Sequence, residues 1–140
     1  MEDNFAVNAF HVSCRLGRFD EVKRYIAEGI DVNVKDTKGN EYTALLFATI
    51  TKRAEIIELL LDNGADIYHK SVHGDDALIL ASKLCHRMII ELLIERGANI
   101  EVRTNSGNTF IDCIRDANVK KKTKDFIEEF RTRNIKGVSR

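Results

Sequence analysis

The sequence has no proline and no tryptophan, and only three cysteines among its 140 residues. Without proline, no helix meets a residue that cannot donate a backbone hydrogen bond, and no loop is stiffened by a fixed φ angle. Cys14, Cys85 and Cys113 are too few and too scattered for a disulfide framework, and an odd number leaves one unpaired. We therefore expect a reducing compartment.

The chain also has no net charge and no long apolar run, because 22 Lys and Arg residues balance 22 Asp and Glu residues. Such a balance implies no general attraction to nucleic acid or to a membrane surface. No apolar stretch approaches a membrane span, and the acidic N-terminus does not resemble a signal peptide. We expect a cytosolic protein, with the nucleus or delivery into a host cytosol as alternatives.

Signals for catalysis, metal binding and phosphate binding are weak. His11 and Cys14 are three residues apart on one predicted helix and could form a nucleophile–base pair, but without an orienting group or an oxyanion site we favour helix packing for both. The Cys and His or Asp pairs at 85–86 and 112–113 lack the spacing of zinc ligands. No glycine-rich phosphate loop is present. The sequence therefore predicts no catalytic residue, no metal site and no cofactor.

What the sequence does contain is a repeat. The segment 56–70, IIELLLDNGADIYHK, returns at 89–103 as IIELLIERGANIEVR, and a fixed period of this size predicts a stacked array. The punctuation has the same period of 33 to 35 residues. Glycines of predicted turns are Gly39, Gly74 and Gly107, glycines that end helices are Gly29, Gly64 and Gly97, and predicted helix N-caps are Asn8, Thr43, Asp76 and Thr109.

Each unit is predicted to contain two helices followed by a glycine and an extended segment such as 30–35. The first helices are predicted at 9–16, 44–52, 77–85 and 110–118, and the second at 19–28, 54–63, 86–96 and 120–134. Residues 1–7 are predicted to be a frayed lead-in. Thr109 and Asp112 have the spacing of a capping box. One irregularity, the insertion Glu41-Tyr42, lengthens the second unit by two residues.

This pattern resembles the ankyrin repeat family over residues 5–131. The resemblance rests on the turn glycines, on Phe10-His11, on Thr43-Ala-Leu-Leu46 where the family prefers Thr-Pro-Leu-His, and on IIELL followed by GADI. The inter-helix glycine of the family is retained as Gly17 but is replaced by Lys52, Cys85 and Asn118 in the other units. A left-handed conformation at those replacements would cost about 1 kcal/mol each.

The resemblance implies an all-α fold, an ankyrin-repeat solenoid of paired antiparallel helices with β-turn or hairpin fingers. It implies a single domain, 1–140, with repeats at 5–35, 36–70, 71–103 and 104–131 and a C-terminal tail at 132–140. It also implies a monomeric protein-binding module, acting as an adaptor or scaffold. A stand-alone inhibitor that covers an enzyme or a signalling protein is the alternative, and an enzyme is a remote one.

Family members usually bind partners through the turn tips and the first-helix face. The matching tips are Thr37, Lys38, Asn40, Val72, His73, Asp75, Asn105, Ser106 and Asn108. The matching helix positions are Arg15, Leu16, Ile50, Thr51, Lys83, Leu84 and Asp116. Lys35, Lys70 and Arg103 precede the turns, and the insertion adds Glu41 and Tyr42 to the candidate partner-binding residues.

Three features of this surface have two interpretations each. Leu16, Ile50 and Leu84 could form an apolar strip with a basic rim, suited to a partner with apolar anchors and acidic groups, or could be used up by packing between helices. Tyr42 could be an exposed anchor or could pack back on the neighbouring turn. The basic run 120–124 could be a targeting signal or a phosphate contact, but we favour a solvated face of the last helix.

Overall fold

The computed structural model describes residues 2–138, and this part of the chain is built from helices joined by turns. No strand is present in these residues, and Arg103 and Thr109 form an isolated antiparallel bridge. The helices are α1 (Glu2–Leu16), α2 (Phe19–Ala27), α3 (Ala44–Ile50), α4 (Ala54–Asp62), α5 (Ala77–Lys83), α6 (Arg87–Glu95), a 3-10 helix (Ile111–Cys113) and α7 (Ala117–Val138).

The helices form two rows. In the inner row α1 packs on α3, α3 on α5, and α5 on the 3-10 helix; in the outer row α2 packs on α4 and α6 on α7. Each inner helix also packs on the outer helix that follows it in the chain, as α1 does on α2. The all-α fold of stacked helix pairs predicted from the repeat is therefore confirmed.

The repeated IIELL block supplies the outer row with its buried face. In α4, Ile56, Ile57 and Leu60 are buried, and Ile89, Ile90 and Leu93 take the same places in α6. Spacings of one, three and four residues put these side chains on one side of a helix, against the inner row. Burying such a side chain contributes about 1.5–3 kcal/mol, so the block mainly holds neighbouring units together.

The junctions between paired helices take the conformation that the repeat predicts in three units. Gly17 has a φ of 72°, and its counterparts Lys52 and Cys85 have φ angles of 61° and 55°. Both non-glycine residues are thus in the left-handed region, where a side chain costs about 1 kcal/mol. Asn118 is different, because it lies within α7.

The fingers show how the insertion is accommodated. In the third unit the Ser71 N–H donates to the Asp75 carbonyl at 3.0 Å. In the second unit the matching bond runs from the Asp36 N–H to the Tyr42 carbonyl at 2.8 Å, so two more residues are enclosed. Glu41 takes a φ of 58° within this wider finger. The insertion therefore bulges the finger without disturbing α3.

One register position links each unit to the next. Asn33 Nδ2 donates to the Gly64 carbonyl at 3.1 Å, while its Oδ1 accepts from the Asp66 N–H at 2.7 Å. The matching Tyr68 donates its hydroxyl to the Gly97 carbonyl at 3.0 Å, and the matching Glu101 pairs with Arg131 at 3.4 Å. The same register position thus links neighbouring units three times, through a side-chain amide, a phenol hydroxyl and an ion pair.

Three predictions for the first unit were wrong. Residues 2–7 are not a frayed lead-in but the start of α1, and Asn8 is inside that helix rather than at its N-cap. Val7 is buried, and the segment contains neither proline nor glycine, so nothing ends the helix earlier. The segment 30–35 is not extended either, because the Val34 N–H donates to the Asp31 carbonyl at 3.1 Å in a turn.

The fourth unit departs furthest from prediction. The expected helix 110–118 is only the 3-10 turn, although the predicted capping box between Thr109 and Asp112 forms at 3.0 and 3.1 Å. Asp116 accepts from the N–H groups of Asn118 and Val119, which starts α7 and ends any continuation of the earlier helix. The segment from 132, expected as a tail, continues α7 to Val138.

Of the two N-caps predicted in the middle units, only one forms the expected hydrogen bond to its helix. Asp76 precedes α5 and accepts from the Ile79 N–H at 2.9 Å, as expected. Burial raises the pKa of the Asp76 carboxyl. Thr43 occupies the same position before α3, but its buried hydroxyl makes no hydrogen bond to the helix. The position of the cap was therefore correct and its mechanism was not.

Candidate partner-binding surface

Most of the predicted tip residues are exposed along one side of the molecule. In the second finger these are Thr37, Lys38 and Asn40, and the third and fourth fingers add Val72, His73, Asn105, Ser106 and Asn108. Neighbouring tips are tied together, since Asn105 Nδ2 donates to the His73 carbonyl at 3.1 Å and the Val72 N–H donates to the Asn40 carbonyl at 3.1 Å. The tips therefore form one continuous exposed edge.

Asp75 is the exception among the predicted tip residues. Its side chain is 10% exposed and accepts from Lys83 Nζ at 2.9 and 3.1 Å. The pair links the third finger to the end of α5, a distance of eight residues along the chain. Asp75 thus lies beneath the tips, and the ammonium group of Lys83 is engaged in an ion pair within the molecule.

The insertion is held in place rather than projecting. Tyr42 is half-buried, and its ring meets the Phe47 ring edge-on with centroids 5.4 Å apart. Its position agrees with the packed interpretation, although its contact is with helix α3. Glu41 is held from two sides, because His69 Nε2 donates to its carbonyl at 2.6 Å and Lys35 Nζ lies 3.6 Å from its carboxylate.

A groove of about 520 Å³ opens between α1, α3 and the second finger. It brings together five of the predicted residues: Arg15, Lys38, Asn40, Ile50 and Thr51. We call it the concave groove, and it is also lined by residues that the sequence analysis did not select, namely Asn8, His11, Val12, Asp36 and Phe47.

The concave groove has an apolar floor and a charged border. Val12, Phe47 and Ile50 supply the floor, and the Arg15 guanidinium carbon lies 5.7 Å from the centroid of the Phe47 ring. In the part of the chain that the structure describes, Arg15 and Lys38 form no ion pair. The groove therefore offers apolar contact beside two cationic groups, Arg15 and Lys38, and one acidic residue, Asp36.

The missed floor residues carried a usable signal. Val12 and Phe47 lie three residues before Arg15 and Ile50, on the same helix face. Selecting the register positions one turn earlier would have found them. The predicted apolar strip is not assembled as one feature, since Ile50 lines the groove but Leu16 and Leu84 do not. Those two leucines are 50% and 38% exposed.

A second, more polar cleft of about 600 Å³ contains the predicted residues Lys70 and Arg103. Lys70 Nζ donates to the Arg103 carbonyl at 3.2 Å, and Arg103 donates to the Gly107 carbonyl at 3.3 Å. Glu101 and Asp76 share the cleft, so its charges are mixed. The basic residues before the turns are therefore not a uniform rim around the concave groove.

The nucleophile–base pair that His11 and Cys14 could have formed, which was the less favoured interpretation, does not form. Cys14 is fully buried, and burial raises the pKa of its thiol to about 12. His11 Nε2 donates to the Val34 carbonyl at 3.1 Å, and burial lowers the pKa of the ring although that bond and nearby Asp36 oppose the effect. A buried thiol with a raised pKa is a poor nucleophile, so both residues serve packing.

The other features considered from the sequence are the basic run 120–124, possible metal ligands and possible membrane spans. Lys121, Lys122 and Lys124 are exposed on α7, as a solvated helix face would be, whereas Thr123 between them is buried. Within residues 2–138, no cluster of three or more His, Cys, Asp or Glu side chains is placed to hold a metal ion. The same residues include no helix of the length and apolar character needed to cross a membrane.

The stacked helix pairs, glycine-punctuated fingers and concave groove define a repeat protein of the solenoid class. A family model for ankyrin repeats in three copies matches residues 5–104, and the chain belongs to the ankyrin repeat family. It is similar to the ankyrin repeat protein FPV031 of Fowlpox virus (strain NVSL), with 33% identity over 99 residues. The match covers 70% of this chain and 29% of that relative. Ankyrin repeats generally mediate protein–protein interaction and are typically not enzymes.

Proposed function

We propose that this chain is an adaptor or scaffold module that binds a partner protein in the concave groove and along the finger tips. The observation that carries the proposal is the apolar floor of Val12, Phe47 and Ile50 beside Arg15 and Lys38. Apolar anchors give affinity at the centre of an interface, and complementary charge at the border selects the partner. The expected partner segment therefore has a large apolar side chain next to an acidic one.

The contrast among the predicted cations supports this assignment. Lys35 and Lys83 are engaged with Glu41 and Asp75, so a partner would have to compete for them. Arg15 and Lys38 need no such exchange. The buried Cys14, with its raised thiol pKa, also favours a binding role over a catalytic one. The three cysteines are free thiols, which suits the reducing cytosol that we expect. An inhibitor remains the alternative role, and no contact within residues 2–138 favours it over a scaffold.

The test uses a peptide library of random sequence displayed on phage and selected against the immobilised protein. Enriched peptides should contain an apolar residue beside an acidic one, and synthetic versions should bind at least tenfold more weakly to Lys38→Glu than to wild type. Fluorescence anisotropy gives the dissociation constants. Lys38 is exposed at a finger tip, so the substitution should leave the circular dichroism spectrum unchanged.

Met88→Glu is the matched control, because Met88 is 73% exposed on α6 in the outer row. It should bind the selected peptides as wild type does. The proposal fails if enriched peptides lack acidic residues, or if Lys38→Glu and Met88→Glu bind them equally well. Ile50→Glu, checked for folding in the same way, should abolish binding because it puts a carboxylate into the groove floor.

A further inference from the structure

The register of the repeat sets the second unit apart from the third. Tyr42 and Asp75 are equivalent, since each closes its finger one residue before an N-cap position. Eight residues further along the chain, Ile50 and Lys83 are equivalent as well. In the third unit these two positions hold an ion pair, whereas in the second unit they hold two side chains without charge. The third unit therefore neutralises its own charges where the second unit builds an uncharged surface beside the concave groove.

The second finger holds the main chain of Tyr42 firmly. The Asp36 N–H donates to the Tyr42 carbonyl at 2.8 Å, and Asp36 Oδ1 accepts from the Tyr42 N–H at 3.3 Å. The preceding residue, Glu41, is bound by His69 and Lys35. These contacts fix the backbone from which the tyrosine ring extends. The insertion that lengthens this finger therefore presents one defined ring position to helix α3.

The ring of Phe47 connects Tyr42 to the concave groove. Tyr42 does not line the groove, but its ring meets the Phe47 ring edge-on with centroids 5.4 Å apart. Phe47 does line the groove, and the guanidinium carbon of Arg15 lies over its ring at 5.7 Å from the centroid. Edge-on aromatic pairs and cations above aromatic rings are both favourable arrangements. The orientation of Phe47, which Tyr42 restrains, therefore sets the place of the Arg15 guanidinium.

We propose that Tyr42 is a positioning residue for partner specificity, which acts through Phe47 to hold Arg15 where an acidic side chain of the partner meets it. The inference rests on the proposed function, because it concerns the same groove. An arginine that is fixed before binding loses less side-chain entropy than a mobile one when it binds a carboxylate. Loss of the Tyr42 ring should therefore weaken selection for the acidic residue more than the apolar contact, to which Val12 and Ile50 still contribute.

Side-chain variants at position 42 isolate the effect of the ring, because the bonds to Asp36 use only the main chain of Tyr42. Tyr42→Leu removes the ring and Tyr42→Phe keeps it. The ligands are peptides enriched against wild type in the display selection, each paired with a version whose acidic residue is replaced by the matching amide. In fluorescence anisotropy, wild type and Tyr42→Phe should bind the acidic version about fivefold more tightly than the amide version, and Tyr42→Leu less than about twofold.

Affinity for the amide version should be nearly the same in all three proteins, which separates a positioning role from a general loss of structure. Tyr68→Leu is the matched control, because Tyr68 is 59% exposed and does not line the concave groove, and it should keep the wild-type preference. A Tyr42→Leu variant with the wild-type preference would refute this inference alone. A wild type that does not prefer the acidic version would refute the proposed function as well.

NMR measures the position of Arg15 separately and without a peptide. The Nε–Hε signal of Arg15, identified by its absence in Arg15→Lys, should be displaced upfield in wild type because the guanidinium lies over the Phe47 ring. It should stay there in Tyr42→Phe and move towards the signals of the exposed arginines in Tyr42→Leu. An Arg15 signal at the wild-type position in Tyr42→Leu would show that the tyrosine ring does not hold the guanidinium, and would overturn the inference.

Discussion

Lys52 provides a direct test of the repeat interpretation, because an exposed lysine has a φ of 61° where the matching residue of the first unit is Gly17. Replacing it with alanine or with glycine removes the same side chain, but only alanine retains the left-handed strain. That strain is about 1–2 kcal/mol, and the greater freedom of glycine in the unfolded chain offsets about 0.5–1 kcal/mol. Lys52→Gly should therefore be more stable than Lys52→Ala by about 1 kcal/mol.

Urea unfolding followed by circular dichroism measures this difference. With a slope of about 2 kcal/mol/M, the glycine variant should unfold at a midpoint about 0.5 M higher than the alanine variant, with the slope unchanged. Lys121, an exposed lysine inside α7, provides the control. There the order should reverse, with glycine less stable than alanine by about 1 kcal/mol. If alanine equals or exceeds glycine at position 52, the left-handed assignment is wrong.

Three further predictions follow from single contacts. Gly74→Ala should lose about 1 kcal/mol more stability than Gly107→Ala in urea unfolding, because both have positive φ but only at 74 would the new Cβ displace Asn105 from its hydrogen bond to the finger. His11 has a lowered pKa, so the folded state favours its neutral form. The stabilisation that His11 gives the fold is therefore complete above pH 6.5 and is lost as the pH falls below that value. The difference in unfolding free energy between wild type and His11→Gln should narrow from pH 7.5 to pH 5. Cys14 should react with a thiol reagent only at the rate of unfolding, and any faster native-state labelling would contradict its burial.

The repeat period made the central part of the fold predictable. Gly64 and Gly97 end helices where expected, and Asp76 caps α5 as its register implies. Each of these assignments depends on a local backbone preference that recurs at a fixed spacing. A local signal that recurs at a fixed spacing is supported by each of its other occurrences. These features could therefore be predicted without three-dimensional information.

The misses occur where two local preferences compete or where a tertiary contact decides. Asp116 is a strong cap, and by starting α7 it shortens the preceding helix to one turn. Asp75 is buried because Lys83 reaches it from the end of α5, a pairing that turn chemistry does not reveal. The inward position of Tyr42 depends on the Phe47 ring in the next helix. Sequence placed Asp75 and Tyr42 in the right fingers but not in the right environment, whereas it placed Asp116 on a helix that ends before it.

The equivalent positions Asn33, Tyr68 and Glu101 imply that the array has a weak end that depends on ionic strength. Asn33 and Tyr68 link their neighbours through uncharged hydrogen bonds, which salt hardly affects. Glu101 meets Arg131 as an exposed ion pair, worth less than about 1 kcal/mol and screened by added salt. Raising the salt concentration should therefore loosen α7 before the middle units, so that hydrogen exchange spreads inward from the C-terminal end.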